Sequence, residues 1–258
     1  MAYGLKRAAA RLWRPVAALA GVLAAMELIV SLKFSPVYVP APSAVIMHAL
    51  SKPQLVIGSL SATVSRAATG FSIAAILTLA FASIAVLQSR IQNSLYNFSA
   101  TLHSIPIIAT TPLLALWVGT GAPLQVTIAA LACQFPMLTG AIQGLRSADP
   151  SHRELMQLLS ASGPQTLRYL LFPSALPYIF AGLKVAAPAA VLGTITAEWA
   201  GADLGIGAML LYALFSYDTP TVWLSVVLTC LLSGAGYGLW ALVERLALPV
   251  QASVDLAK

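Results

Sequence analysis

Four polar side chains lie on stretches that are otherwise apolar: Thr110 and Thr111 within 103–117, Gln134 within 124–145, and Thr194 within 177–199. In such surroundings a hydroxyl or amide can hydrogen-bond a guest molecule, or be satisfied inside the bundle. In both cases it binds without reacting. No Ser/His/Asp set and no paired carboxylates fall at a readable spacing, so no nucleophilic or acid–base centre is expected. The chain has no G-x-x-x-x-G-K-[ST] phosphate loop, so any ATP must be split by another protein. Its His and Cys residues lack metal-site spacing. Cys133 and Cys230 sit in apolar runs and read as small core hydrophobes. The expectation is a chain with no catalytic residue, no metal and no cofactor of its own.

A second group of residues is mechanical. The stretch from Ser147 to Leu183 gathers charge, turn residues and prolines in a chain that has few of them elsewhere. Asp149 can cap a helix and Pro150 suits its first position. Glu154 falls in the first turns, where a carboxylate favours the positive helix end. Leu155, Met156, Leu158 and Leu159 form an apolar face, with Arg153 and Gln157 off it. The run from Ser160 to Pro164, which includes Gly163, ends that helix. A second helix runs to Phe172, and Pro173 and Pro177 bound the next apolar run. A short amphipathic helix with an uncovered apolar face docks in a partner's groove, packs on its own bundle, or lies in the lipid interface. These residues alone leave all three open.

Composition sets the elements that must position these groups. Of 258 residues, 59% are hydrophobic and 9% charged, against about 25% charged in soluble domains. Such a chain belongs in lipid as a helical bundle, because hydrocarbon cannot satisfy irregular backbone. Porin-like alternation is absent. Six spans are expected: 15–32, 58–87, 103–117, 124–145, 177–199 and 221–242. Pro106 and Pro112 bend the third, placing Thr110 and Thr111 at the bend, as in the broken helices of transport sites. Gln134-Phe135-Pro136 interrupts the fourth. Gly182 and Gly193 permit close helix contact in the fifth, and Lys184 can snorkel inward. Glu27 is an acid within the first span and lies either at a site or near the outer interface. Arg66 lines a path, snorkels or pairs inside the bundle. Trp117 and Trp199 anchor the outer interface.

Outside the spans, residues 43–50 form a short external helix capped by Ser43, and 208–215 an amphipathic piece after an external glycine-rich segment that begins at Glu198. Residues 1–14 carry cations without an acid; the apolar run that follows is longer than a cleavable signal core, so it reads as an uncleaved first helix. With both ends inside, the inner segments hold Lys6, Arg7, Arg11, Arg14, Arg90, Arg146, Arg153, Arg168, Arg245 and Lys258. The outer ones hold Lys33 and Lys52, with Arg66 if it sits outside. That is the positive-inside bias. The net charge of +6 therefore fits membrane orientation and not nucleic acid, which needs clustered cations on a polar face. The expected layout is an inner segment 1–14, a membrane domain 15–246 with its polar element at 149–172, and an inner tail 247–258.

The polar stretch resembles the EAA loop of the permease subunits of bacterial binding-protein-dependent ABC importers. That signature is Glu-Ala-Ala, three residues, Gly, and about a dozen residues to a Leu-Pro. The matching positions here are Glu154-Leu155-Met156, Ser160, Phe172-Pro173 and Leu176-Pro177. Larger apolar residues replace both alanines and Ser160 replaces the glycine, leaving Ser162 and Gly163-Pro164 as the alternative place for the reversal. The resemblance covers roughly residues 15–246. The branch for nitrate, taurine, aliphatic sulfonates and related small solutes shares Val39-Pro-Ala-Pro-Ser43, Ile105-Pro106 and Pro112 to Trp117 with Gly119-Thr-Gly121. It also shares Phe135-Pro136, Gly144-Leu-Arg146, Leu176 to Ile179, Gly182-Leu-Lys184 and Ala197-Glu198 with Gly201 and Leu204-Gly205. Where that family often has Arg-Pro, this chain has His103-Ser104.

The resemblance implies a type I importer permease fold in the bacterial inner membrane, working as a homodimer. Its partners would be two cytosolic ATPase subunits, which bind ATP and Mg, and a periplasmic or lipid-anchored solute-binding protein. The helix around Glu154 would be the coupling helix, with Arg153, Glu154, Leu155, Met156, Leu158, Leu159, Ser160 and Gly163 meeting the ATPase. Thr110, Thr111, Gln134 and Thr194 are the expected path residues. The expected solute is nitrate-, sulfonate- or taurine-like, with a heteroaromatic vitamin or pyrimidine precursor as the alternative. Among other functions, an ion-coupled carrier predicts related halves and mid-span acids, neither of which stands out.

Overall fold

Helix is the only regular secondary structure among the residues that the computed structural model describes, 2–32, 39–85 and 89–248. Helices keep every backbone hydrogen bond inside the segment, as hydrocarbon requires. In chain order they are α1 (Ala2–Ser31), α2 (Pro42–Ser51), α3 (Pro53–Ala85), α4 (Ser89–Ser104), α5 (Ile107–Val118) and α6 (Ala122–Arg146). There follow α7 (Pro150–Leu158), α8 (Gly163–Thr166), a π turn (Leu167–Leu171), α9 (Phe172–Glu198), α10 (Ile206–Phe215) and α11 (Thr219–Ala247). The apolar lengths of α3, α6, the run from α8 through α9, and α11 are 32, 25, 36 and 29 residues. At ~1.5 Å per residue, each exceeds the ~30 Å hydrocarbon core. The α4–α5 pair passes the same test as one broken span, bent by 99°. The apolar part of α1, Ala17–Ser31, is shorter. The expected inner end of the second span at 86–88, Lys33, and all but the start of the tail 247–258 lie outside the described residues.

Several boundaries differ from the sequence expectation. The helix of the first span starts at Ala2, so residues 2–14 of the expected inner segment belong to it. The third span breaks at Ile105-Pro106, before Thr110 and Thr111, because Pro106 takes the extended N-cap conformation (φ −60°, ψ 114°) while Pro112 is carried inside α5. Gln134-Phe135-Pro136 does not interrupt α6, which runs through Pro136. Pro173 and Pro177 do not start a new span. A π turn, in which the Phe172 N–H reaches the Leu167 carbonyl, leads into α9 past Pro173, which has no N–H to give.

The chain divides into two compact units, 1–57 with 209–227, and 58–208 with 228–258. In the second, α6 and α9 pack along their length. A Cβ on Gly140 would lie 2.6 Å from the Tyr178 carbonyl, and one on Gly182 would lie 2.7 Å from that of Pro136. Only glycine permits so close an approach, as the small residues of the fifth span predict. Lys184 does not snorkel: its Nζ donates to Glu244 Oε2 of α11 at 2.6 Å. Phe71 and Phe180 flank Trp240, with ring centroids 5.3 and 6.5 Å away.

In the first unit, Glu27 takes the capping role expected of Ser43. Its carboxylate accepts the Ser43 hydroxyl (2.6 Å) and N–H (3.1 Å), stabilising the positive end of α2. Near the start of α11, Asp218 accepts the Thr221 hydroxyl at 2.7 Å and lies 3.4 Å from Lys52 Nζ. Burial raises the Asp218 carboxyl, but the Thr221 hydrogen bonds and the Lys52 charge together hold it below its ordinary value.

Candidate functional site

Helix α7 is built by its own sequence. Asp149 occupies the N-cap and Pro150 the first helical position. Ser151 donates its N–H at 2.8 Å, and also its hydroxyl, to Asp149 Oδ1. The Ser151 hydroxyl, followed by its N–H, holds the Asp149 carboxyl below the ordinary carboxylate value. At the other end the Ser160 N–H donates to the Gln157 carbonyl (2.9 Å) and the Ala161 N–H to that of Met156 (2.9 Å). This is a Schellman motif with Ser160 in the left-handed region, φ 53°. The chain therefore reverses at Ser160, in the position a glycine prefers. Ser162 and Gly163 belong to the next helix start, where the Ser162 N–H donates to Gln165 Oε1 at 2.7 Å.

The face of α7 divides by role. Arg153 turns back to the bundle: its guanidinium donates to the Leu145 carbonyl near the end of α6 at 2.9 Å. That bond fixes α7 on α6 and satisfies a carbonyl of the last turn. Met156 is half-buried. Leu155, Leu158 and Leu159 are 51, 82 and 68% exposed, and Glu154, Ser160 and Gly163 are exposed beside them. The i, i+3, i+4 spacing puts the three leucines on one stripe, and the described chain does not cover it.

A cavity of about 200 Å³ opens among α4, α5 and α6, lined by His103, Thr110, Trp117, Gln134 and Phe135 with aliphatic neighbours. A more open one of about 430 Å³ lies between α6 and α9; it shares His103 and Phe135 and adds Thr139, Gln143 and Tyr178. His103 stacks on Phe135 with centroids 4.7 Å apart and planes at 15°, and Tyr96 tilts against the same ring at 6.2 Å.

Of the expected path residues, Thr110 and Gln134 share the smaller cavity. The Thr110 and Thr111 hydroxyls both donate to the Ile107 carbonyl, at 3.0 and 2.8 Å, and Thr111 is buried. Thr194 is wholly buried, donates to the Ala190 carbonyl at 2.9 Å, and lines neither cavity. The His103–Phe135 stack escaped sequence reasoning because it joins residues on different helices.

Glu198 also escaped it. Taken from the sequence as the start of an external segment, it is the last residue of α9 and 1% exposed. Oε1 accepts the Thr63 hydroxyl (2.7 Å) and Oε2 the Gly207 N–H (2.7 Å), while Thr63 accepts the Ile206 N–H (2.9 Å). Gly205, at φ 147°, lies so close that a Cβ there would sit 2.3 Å from the carboxylate. Arg66 donates to the Leu204 carbonyl at 2.8 Å, an exposed bond to the segment that follows α9. The available signal was an acid followed within three helical turns' length of chain by Gly205 and Gly207. The network ties the segment 199–205 between α9, α10 and α3.

Residues 70–247 match the profile of a family described as the binding-protein-dependent transport system inner membrane component. The chain is 27% identical over 215 residues to the formylaminopyrimidine transport permease protein of Halalkalibacterium halodurans, covering 83% of this chain and 86% of that protein. It is 32% identical over 166 residues to the riboflavin transport system permease protein of Chloroflexus aurantiacus, covering 63% and 61%. It is 28% identical over 188 residues to a putative aliphatic sulfonates transport permease protein of Bacillus subtilis, covering 73% and 68%.

Proposed function

The chain belongs to the family of inner membrane components of binding-protein-dependent transport systems, and from that premise we propose that α7 is the coupling helix through which a cytosolic ATPase drives it. The protein is a multi-pass transport permease of the ABC importer class and acts without catalysing a reaction itself. In the proposed assembly two copies sit in the bacterial inner membrane with both termini in the cytosol. Each spans it six times, by α1, α3, the broken α4–α5, α6, α8–α9 and α11. Two ATPase subunits bind ATP and Mg, and a periplasmic or lipid-anchored binding protein delivers a small solute to the outer face.

The observation that carries this is the exposed stripe of Leu155, Leu158 and Leu159 beside Glu154, on a helix capped at both ends and pinned to α6 by Arg153. A lever must be stiff and must offer a partner an apolar anchor; α7 meets both needs. Relatives named for nitrate or aliphatic sulfonate transport and a relative named for riboflavin transport are all similar to this chain.

The test is Glu154→Ala in the reconstituted assembly. Capture of the ATPase and its solute-stimulated hydrolysis should both fall, with the permease still monodisperse. If neither changed, the coupling role would be wrong. Uptake driven by an ion gradient in liposomes lacking the ATPase would refute the whole proposal.

A further inference from the structure

We infer that the solute handled at the α4–α5–α6 and α6–α9 cavities is a planar N-heteroaromatic compound rather than an oxyanion or a sulfonate. This deepens the proposed function and rests on the reading that these helices form the translocation path. The two cavities meet at His103 and Phe135, which line both. The stacked His103–Phe135 pair gives this junction an aromatic wall, the kind of surface on which a flat ring stacks.

Neutral polar groups surround the wall: the Gln134 and Gln143 amides, the Thr110 hydroxyl and the Tyr178 phenol. The Thr139 oxygen is buried without a partner at the larger cavity. These are donors and acceptors of the type that pair with the edges of a ring bearing amide and imine groups. A buried group without a partner is costly unless a guest or water meets it.

Among the described residues, no Lys or Arg lines either cavity. Four cations of this unit are engaged elsewhere: Arg66 on the Leu204 carbonyl, Lys184 on Glu244, Arg146 on Asn93 and Arg153 on the Leu145 carbonyl. A nitrate or sulfonate passing here would lose its hydration without gaining a fixed positive charge, which a low-dielectric wall penalises strongly. A neutral ring loses little and gains stacking.

The experiment uses the full permease with its ATPase and binding protein in proteoliposomes, offered radiolabelled aminopyrimidine, riboflavin, taurine and nitrate. ATP-dependent uptake of a ring compound is expected. Phe135→Leu should lower it about tenfold, and Phe135→Tyr, which keeps the ring, should retain it. Uptake of taurine or nitrate and of no ring compound would overturn the inference while leaving the permease reading intact. So would ring uptake that Phe135→Leu and Phe135→Tyr affect equally. Absence of ATP-dependent uptake of every probe would overturn the permease reading, and this inference with it.

Discussion

Two side chains show how much a single residue can decide. Ser160 holds a left-handed conformation at the end of α7, where a residue with a Cβ is strained by about 1–2 kcal/mol. Ser160→Gly should relieve part of that strain and raise the thermal midpoint of the purified permease by about 2–4 °C; an unchanged or lower midpoint would show that the turn does not limit stability. Glu198 is the opposite case, a buried carboxylate that three elements depend on. Glu198→Ala removes the acceptor for the Thr63 hydroxyl and the Gly207 N–H, each costing about 1–3 kcal/mol when left unmet. The midpoint should fall by several times the gain from Ser160→Gly, and protease cleavage should rise within 199–205. Ser160 was readable in advance as a substitution at a glycine position. The burial of Glu198 was not, because the acceptor's partners lie at positions 63 and 207.

At the scale of the element, α7 was almost fully legible. Asp149, Pro150, the apolar stripe and the break after Leu159 are all local signals, and local hydrogen bonds carry them out. The same locality makes the cap testable by pH. The Asp149 carboxyl is held below its ordinary 3.8 by Ser151. A depressed value in the folded state means that the cap's contribution is complete above the ordinary carboxylate value and lost as pH falls through the depressed one. Amide exchange of 151–158, corrected for intrinsic rates, should stay level from about pH 7 to about pH 5 and rise only below about pH 4. Asp149→Ala should show the raised exchange at every pH, with no pH-dependent step. The long helices were less legible at their prolines. Pro136, Pro177 and Pro188 lie inside helices, whereas Pro106 breaks the chain, and a proline's effect depends on which neighbours can meet the freed carbonyl.

For the whole molecule, the exposed leucines of α7 have a consequence that α7 alone cannot reveal. Leu158 is 82% exposed, so replacing it leaves the permease core untouched. Leu158→Asp should keep the midpoint and particle size of the isolated permease, yet reduce ATPase capture more than about tenfold, the scale of an interface anchor. Equal capture by the variant would exclude the stripe as the seat. The sequence by itself determined that this is a helical membrane protein, that four of its apolar stretches are long enough to span, and how α7 begins. All of these follow from composition and from contacts within one or two turns. Only the tertiary structure decided that Thr194 is spent on its own helix, that Arg153 and Arg66 serve backbone carbonyls, and that Glu198 is buried. It also decided that His103 meets Phe135 across two helices. The physical reason is that a helical pattern states which face is apolar but not which neighbour it meets; partner, register and close approach are settled when glycine-bearing helices such as α6 and α9 pack together.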